Sequence, residues 1–164
     1  MDSLLITLSL LALGAPAITV ASYGTWLSVY DIRHHRLPNK HVLAMTLIVL
    51  AFEIFLCLAA SQWSPFISAL RVALTLLAIY GTLFLISRGQ LGMGDVKYSV
   101  PTGLALGFYS PHGAINCVTL TFVLAGIVSL IGMLTKRLTR ESRMAFGPYM
   151  TIATVAIIAI SAPN

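Results

Sequence analysis

The sequence predicts an all-α integral membrane protein, a bundle of six transmembrane helices. Hydrophobic residues make up 58% of the chain and charged residues only 9%, whereas an ordinary soluble domain carries roughly 25% charged residues. The apolar runs reach the roughly 20 residues that a helix needs to cross a membrane, and they recur along the whole sequence. No stretch is left for a sizeable soluble domain, so we expect a single transmembrane domain over residues 1–164.

The first three spans are predicted at about residues 4–30, 41–60 and 66–87. The first apolar run lacks a basic n-region and a small-residue cleavage site, so we expect it to be retained and not removed as a signal peptide. Pro38 favours a break after the first span, because proline lacks an amide hydrogen and biases the preceding residue away from helical angles. Glu53 is an ionisable residue well inside the second span.

The last three spans are predicted at about residues 96–110, 114–134 and 144–161. The fourth is short, since at 1.5 Å per residue it covers only ~22 Å of a ~30 Å hydrocarbon core. Its Asp95 end is therefore expected to be recessed below the headgroups. The sixth contains the run Phe146-Gly147-Pro148, which indicates a helix kink or a close helix contact.

The positions of the basic residues explain the formal net charge of +5 without a nucleic-acid partner. Alternating the six spans puts three loops on one side, and these loops carry every Lys and Arg except Arg71. By the positive-inside rule that side is cytoplasmic, which predicts periplasmic termini and a location in the cytoplasmic (inner) membrane. The basic loops are expected to contact anionic lipids. Their basic residues are Arg33, Arg36, Lys40, Arg88, Lys97, Lys136, Arg137, Arg140 and Arg143.

Two aspartates on the predicted cytoplasmic side are the candidate catalytic residues. Asp95 lies in the run 92–97, Gly-Met-Gly-Asp-Val-Lys, and an ionisable group at the edge of an apolar segment favours a functional role. Asp31, at the end of the first span, is its best partner. Peptide hydrolysis by two aspartates needs one ionised carboxylate to deprotonate a water and one protonated carboxyl to polarise the scissile carbonyl. Two close carboxylates in a low dielectric share one proton, which creates that asymmetry.

Gly92 and Gly94 fit the same interpretation, since a residue without Cβ lets a neighbouring helix or an extended substrate approach closely. Each aspartate also has a simpler explanation. Asp95 at the start of the fourth span can cap helix amides, and Asp31 can pair with a nearby arginine. Lys97 can tune the aspartate pair or bind lipid phosphate.

Other ionisable residues are weaker candidates. Glu53 is expected to be a buried protonated acid or a hydrogen-bonded helix contact rather than a group that positions a substrate. His34 and His35 are expected to be solvated interface residues. Cys57 and Cys117 each lie inside an apolar span without a C-x-x-C companion, so neither a zinc site nor a disulfide is expected.

Three sequence features together resemble one known family. They are Asp31 followed by Arg36-Leu37-Pro38-Asn39, the run 92–97, and Phe146-Gly147-Pro148. This combination resembles the prepilin peptidases (type IV leader peptidases), intramembrane aspartyl proteases of the G-x-G-D class, and it covers essentially the whole chain in the number and order of spans. The resemblance implies that Asp31 and Asp95 are the catalytic pair. It further implies cleavage of the short basic leader of prepilins or pseudopilins at the cytoplasmic membrane face, typically after a glycine, without a metal or organic cofactor.

The resemblance also distinguishes branches of that family. Larger members carry an N-terminal cytoplasmic region with paired cysteines and N-methylate the new terminus. This sequence shows no such region, so methyltransferase activity and S-adenosylmethionine binding are not expected. Its size is more similar to the compact branch that serves tight-adherence (Flp-type) pili, or to archaeal preflagellin peptidases.

Three alternatives remain open. Tyr30-Asp31 with a later G-x-G-D is also similar to presenilin and signal peptide peptidases, which have more spans and a Pro-Ala-Leu motif that is missing here. A small channel or transporter could conduct protons or cations through Asp31, Glu53 and Asp95, with its acids at successive depths, whereas a protease needs two acids at one depth. A noncatalytic assembly scaffold would tolerate the loss of either aspartate.

Overall fold

The computed structural model describes residues 2–34, 37–87, 91–136 and 145–161, with side chains from Gly14 onward. Within these ranges the chain forms six α-helices and no strand, which confirms the predicted all-α class and the number of helices. The helices are α1 (Asp2–His34), α2 (Asn39–Ala60), α3 (Ser64–Ile86), α4 (Met93–Tyr109), α5 (Gly113–Leu134) and α6 (Gly147–Ser161).

The first helix continues past its predicted end. It contains Pro16 and runs on to His34, so Asp31 lies inside a helix and not, as predicted, in the loop that follows one. Polar side chains do not end a helix by themselves, and the basic Arg33 and His34 suit the last turn because they face the negative end of the helix dipole. The break comes instead before Pro38, which precedes α2 with extended backbone angles.

The fourth helix begins three residues earlier than predicted, at Met93, so Asp95 lies in its first turn. Its 17 residues span about 25 Å, and α4 therefore stays shorter than a hydrocarbon core. Several predictions concern residues outside the described ranges, namely those for His35, Arg36, Arg88, Arg137, Arg140 and Arg143 and for the start of the sixth span at residue 144.

The short α4 is the central helix of the bundle. It packs against all five other helices, and every residue from 101 to 107 is buried. A helix that is covered on all sides belongs to the interior of a protein. Because Asp95 lies at the N-terminal end of this helix, α4 carries its carboxylate into the interior of the bundle.

Two glycines bring α4 against α3, the most extensive helix contact in the described part of the chain. A Cβ on Gly103 would lie 2.6 Å from the Cα of Ala73, and one on Gly107 would lie 2.7 Å from the Cα of Ala69. Small residues four apart on both helices let their backbones approach closely, as in membrane helix pairs. This contact fixes the depth of α4 relative to α3.

In the described part of the chain, three helices are long and apolar enough to cross a membrane, namely α2, α3 and α5, with 22, 23 and 22 residues. Their outer faces carry large apolar side chains, for example Phe55, Leu74 and Ile115, which are 60%, 64% and 71% exposed. Such faces suit lipid and not water. The α6 helix is a shorter apolar helix of 15 residues.

Candidate active site

Asp31 is placed by α1 and held by the start of α6. It lies in the last turn of α1 and is only 5% exposed. The N–H of Gly147, the first residue of α6, donates to Asp31 Oδ2 at 3.2 Å. The first amides of a helix have no partner within that helix, so a carboxylate is a suitable acceptor for one of them.

Asp95 is held by the start of its own helix. It is also 5% exposed, and its Oδ2 accepts the N–H of Gly92 at 3.2 Å. In return the Asp95 N–H donates to the Gly92 carbonyl at 3.1 Å. The predicted role of Asp95 as a helix cap is therefore confirmed, and the positive end of the α4 dipole favours its carboxylate. Capping does not conflict with catalysis, because one oxygen of the carboxylate remains for other chemistry.

The fold brings the two aspartates together although 64 positions separate them in the sequence. Asp31 acts electrostatically on Asp95, and both carboxylates lie at the same end of the bundle. Each accepts one backbone N–H at the N-terminus of a helix, Asp31 from Gly147 and Asp95 from Gly92. In a low dielectric, repulsion between two nearby carboxylates disfavours ionisation of both at once.

Three glycines leave the room that this arrangement needs. A Cβ on Gly147 would lie 3.0 Å from Asp31 Oδ2, and one on Gly92 would lie 3.1 Å from Asp95 Oδ2. A Cβ on Gly94 would lie 3.0 Å from the Cβ of Leu37, in the segment between α1 and α2. Side chains at these positions would push on a carboxylate or on the neighbouring segment.

The start of α6 distinguishes the two structural explanations of the Gly147-Pro148 pair, a helix kink and a close helix contact. The predicted close contact of Gly147 is present, because its amide binds Asp31. The predicted kink is wrong, because α6 begins at Gly147 and Pro148 therefore lies in its first turn. Proline is compatible with that position, where its missing N–H would have no partner within the helix.

Lys97 and Asn39 connect the two sequence motifs. Lys97 lies two residues after Asp95, and its Nζ donates a hydrogen bond to Asn39 Oδ1 at 3.0 Å. Asn39 is the first residue of α2, and the carbonyl of the preceding Pro38 accepts the N–H of His41 at 3.0 Å. The sequence suggested that Lys97 tunes the aspartates or binds lipid phosphate, whereas the structure gives its ammonium group an amide oxygen on α2.

Sequence reasoning missed a buried group of hydroxyls next to the aspartates. Tyr98 Oη lies 2.6 Å from Thr151 Oγ1, and Ser28 Oγ lies 2.9 Å from that same atom. These residues stand within about one helical turn of Asp95, Gly147 and Asp31 respectively. The signal in the sequence was the presence of hydroxyl side chains at this spacing. That spacing does not identify their hydrogen-bond partners, which depend on how the helices pack.

Glu53 is buried at a different depth. It is 0% exposed, and neither of its carboxylate oxygens makes a hydrogen bond to the described residues. It lies 14 residues along α2 from Asn39, about 21 Å at the rise of an α-helix. The predicted burial is therefore confirmed, while the predicted helix hydrogen bond is absent from the described part of the chain. Glu53 is therefore separated along α2 from the end of the bundle that holds Asp31 and Asp95.

No group of three or more His, Cys, Asp or Glu side chains in the described ranges is arranged to hold a metal ion. Cys57 and Cys117, both buried, are free thiols. The polar groups next to the aspartates are instead backbone amides and hydroxyls.

An all-helical bundle with membrane-length apolar helices and two buried aspartates at one end has the architecture expected of a membrane aspartic protease. Residues 18–135 match the type IV leader peptidase family. The chain therefore belongs to that family, as its motifs suggested, and is a leader peptidase-like membrane protease, aspartic in type as the family is. No curated protein and no solved structure matches the chain significantly.

Proposed function

We propose that the protein cleaves the basic leader peptide from prepilin or pseudopilin precursors, with Asp31 and Asp95 as its catalytic pair. The observation that carries the proposal is the meeting of these two carboxylates, each 5% exposed and each bound by a helix N-terminal amide. A backbone N–H that donates to a buried carboxylate favours its ionised form, while repulsion between two nearby carboxylates disfavours ionising both.

Hydrolysis by this pair needs only water and the shared proton. The ionised carboxylate takes a proton from a water molecule as its oxygen attacks the scissile carbonyl carbon, while the protonated carboxyl donates its proton to the carbonyl oxygen. The tetrahedral intermediate then collapses, the C–N bond breaks, and the leaving amine takes up a proton from the pair. The two roles belong to the pair, so neither is assigned to one aspartate.

The proposal also includes the location of the reaction in the membrane. The positions of the basic loops support an aspartate end at the cytoplasmic face of the inner membrane, with both termini periplasmic and six membrane-embedded helices forming one domain over residues 1–164. There the leader of a precursor can enter from water while its apolar segment stays in lipid. Flp-type pilins are the proposed precursors, and neither a metal, an organic cofactor nor methyl transfer is part of the reaction.

In-membrane cleavage of a candidate pilin precursor tests the proposal. Wild-type protein is expected to release the leader, and Asp31→Asn and Asp95→Asn are expected to release none above background, at equal amounts of protein in the membrane. Glu53→Gln is the control, since it removes a buried acid far from the pair. Undiminished cleavage by either asparagine variant would contradict the assignment.

A further inference from the structure

A buried cluster of three hydroxyl groups lies beside the aspartates. Tyr98, Thr151 and Ser28 are 0%, 4% and 6% exposed. Thr151 Oγ1 is at the centre, 2.6 Å from the Tyr98 hydroxyl and 2.9 Å from Ser28 Oγ. Thr151 Oγ1 is also 2.9 Å from the carbonyl oxygen of Gly147. The cluster thereby joins α1, α4 and α6 at the candidate catalytic end.

The number of protons sets the direction of these hydrogen bonds. Ser28 donates to the carbonyl of Gly24 at 2.7 Å. Carbonyl oxygens only accept, so the single hydroxyl proton of Thr151 goes to Gly147, its nearer carbonyl. Tyr98 is then the donor to Thr151 Oγ1. The chain of hydrogen bonds therefore runs from the Tyr98 hydroxyl through the Thr151 hydroxyl to the Gly147 carbonyl. Hydrogen bonds in such a chain polarise and strengthen one another.

We infer that Tyr98 and Thr151 are positioning residues that hold the spacing of the two aspartates, an inference that rests on the proposed peptidase function. Tyr98 lies three residues after Asp95 on α4. Gly147, whose carbonyl Thr151 binds, donates its N–H to Asp31 at 3.2 Å. The bond between the two hydroxyls therefore ties the helix that carries Asp95 to the helix end that holds Asp31.

The fit around the phenol leaves little freedom for another arrangement. A Cβ on Gly24 would lie 2.6 Å from the Tyr98 hydroxyl and 3.0 Å from Thr151 Cγ2. The absence of a side chain at Gly24 is what lets the phenol reach Thr151. Asp31 also acts electrostatically on Tyr98, which places this hydroxyl within the field of the pair.

Spacing controls how strongly the two carboxylates share their proton. Repulsion between two ionised carboxylates falls as they separate, so a wider pair holds its single proton over a narrower pH range. The narrowing appears at the alkaline limb of the pH profile, where the pair loses its remaining proton. Tyr80 from α3 interacts electrostatically with Asp95, and Tyr98 itself interacts with Asp31. The Nζ of Lys97 donates to Asn39 Oδ1.

The test measures cleavage of a pilin precursor, in detergent or liposomes, by Tyr98→Phe, Thr151→Val and the double variant. Each substitution removes one hydroxyl and keeps the shape of the side chain. We expect kcat to fall by about tenfold to a hundredfold, the effect of misplacing reacting groups by about 1 Å, with KM unchanged. The alkaline limb of the pH profile should move to lower pH. The double variant should be no worse than the stronger single variant, because both break one chain.

Two further variants separate positioning from folding. Thr151→Ser keeps the hydroxyl and should restore most of kcat and the wild-type pH profile. Thr102→Val removes another buried threonine hydroxyl, which donates to the Tyr98 carbonyl on its own helix at 2.9 Å, and should leave kcat and the pH profile unchanged.

The outcomes that overturn the inference are distinct from failure of the proposed function. Absence of cleavage by wild-type protein, under conditions where the precursor is intact and embedded, would contradict the peptidase proposal itself. If wild type cleaves, an unchanged kcat and pH profile in Tyr98→Phe overturns the inference. So does a Thr151→Ser variant that is as impaired as Thr151→Val.

Discussion

Two regions of this bundle differ in how they accommodate buried acids. At the candidate catalytic end Asp31 and Asp95 are 5% exposed, and each accepts a backbone N–H. About 21 Å along α2 from its N-terminal residue Asn39, Glu53 is 0% exposed and accepts no hydrogen bond from the described residues. All three are carboxylates inside an apolar bundle, yet only two have polar partners among the backbone groups.

Helix geometry explains the difference. Within a helix each backbone N–H is already used by the carbonyl four residues earlier, whereas the first four N–H groups are free. Asp31 and Asp95 reach such free amides at the starts of α6 and α4, while Glu53 reaches none among the described residues. Helix N-terminal amides therefore favour the charged form of an acid, whereas burial without a hydrogen-bond partner disfavours it.

The largest expected effect on cleavage distinguishes Asp31 and Asp95 from Glu53. Asp31→Asn and Asp95→Asn should each reduce cleavage by at least about a hundredfold, the lower range for losing general acid–base catalysis, whereas Glu53→Gln should retain substantial cleavage. Initial rates on one precursor, normalised to protein in the membrane, measure this. A Glu53→Gln variant as inactive as either aspartate variant would remove the functional contrast between the aspartates and Glu53.

The next prediction concerns the space around the carboxylate oxygens of Asp31 and Asp95. Gly147→Ala and Gly92→Ala each place a methyl group within 3.0 or 3.1 Å of a carboxylate oxygen, and we expect cleavage to fall by about tenfold to a hundredfold. Gly126→Ala in α5 is the matched control, because a Cβ there meets nothing within 4 Å. Equal activity in all three alanine variants would show that the carboxylates tolerate displacement.

A stability measurement sharpens the contrast at Glu53. Replacing a buried polar group that has no partner with an apolar side chain of similar size removes its desolvation penalty, so Glu53→Met should raise the free energy of unfolding by about 1–3 kcal/mol. Thermal unfolding in detergent measures the change, with Met45→Leu on the same buried face of α2 as the control for repacking. A destabilised Glu53→Met protein would indicate that Glu53 has a partner in the membrane.

The smallest effect concerns the exposed hydrogen bond between the motifs. Lys97→Met and Asn39→Ala should each lower stability by about 0.5–1 kcal/mol, the net value of a hydrogen bond near water, and should leave the pH optimum of cleavage in place. A double-mutant cycle measures the coupling between the two side chains. A shifted optimum in Lys97→Met alone would show that its charge acts on the aspartates.

Much of the fold was predictable because membrane helices leave a simple signal. Long apolar runs, the break at Pro38 and the glycines around Asp95 identified six helices and both aspartates. The predicted end of α1 was wrong because polarity changes at the membrane surface, while a helix ends only where its backbone bonding is interrupted. The helix therefore continues through Asp31 to His34.

Composition and local spacing by themselves determined the fold class, the number of helices and the candidate acids, because each depends on residues close together in the chain. The family was indicated by the resemblance of three short motifs. Only the tertiary structure decided that the Gly147 amide binds Asp31, that Lys97 meets Asn39 and that Tyr98 reaches Thr151. These contacts join residues 53 to 116 positions apart. Their existence depends on how helices pack, through glycines such as Gly103 whose effect appears only when a second helix is in place.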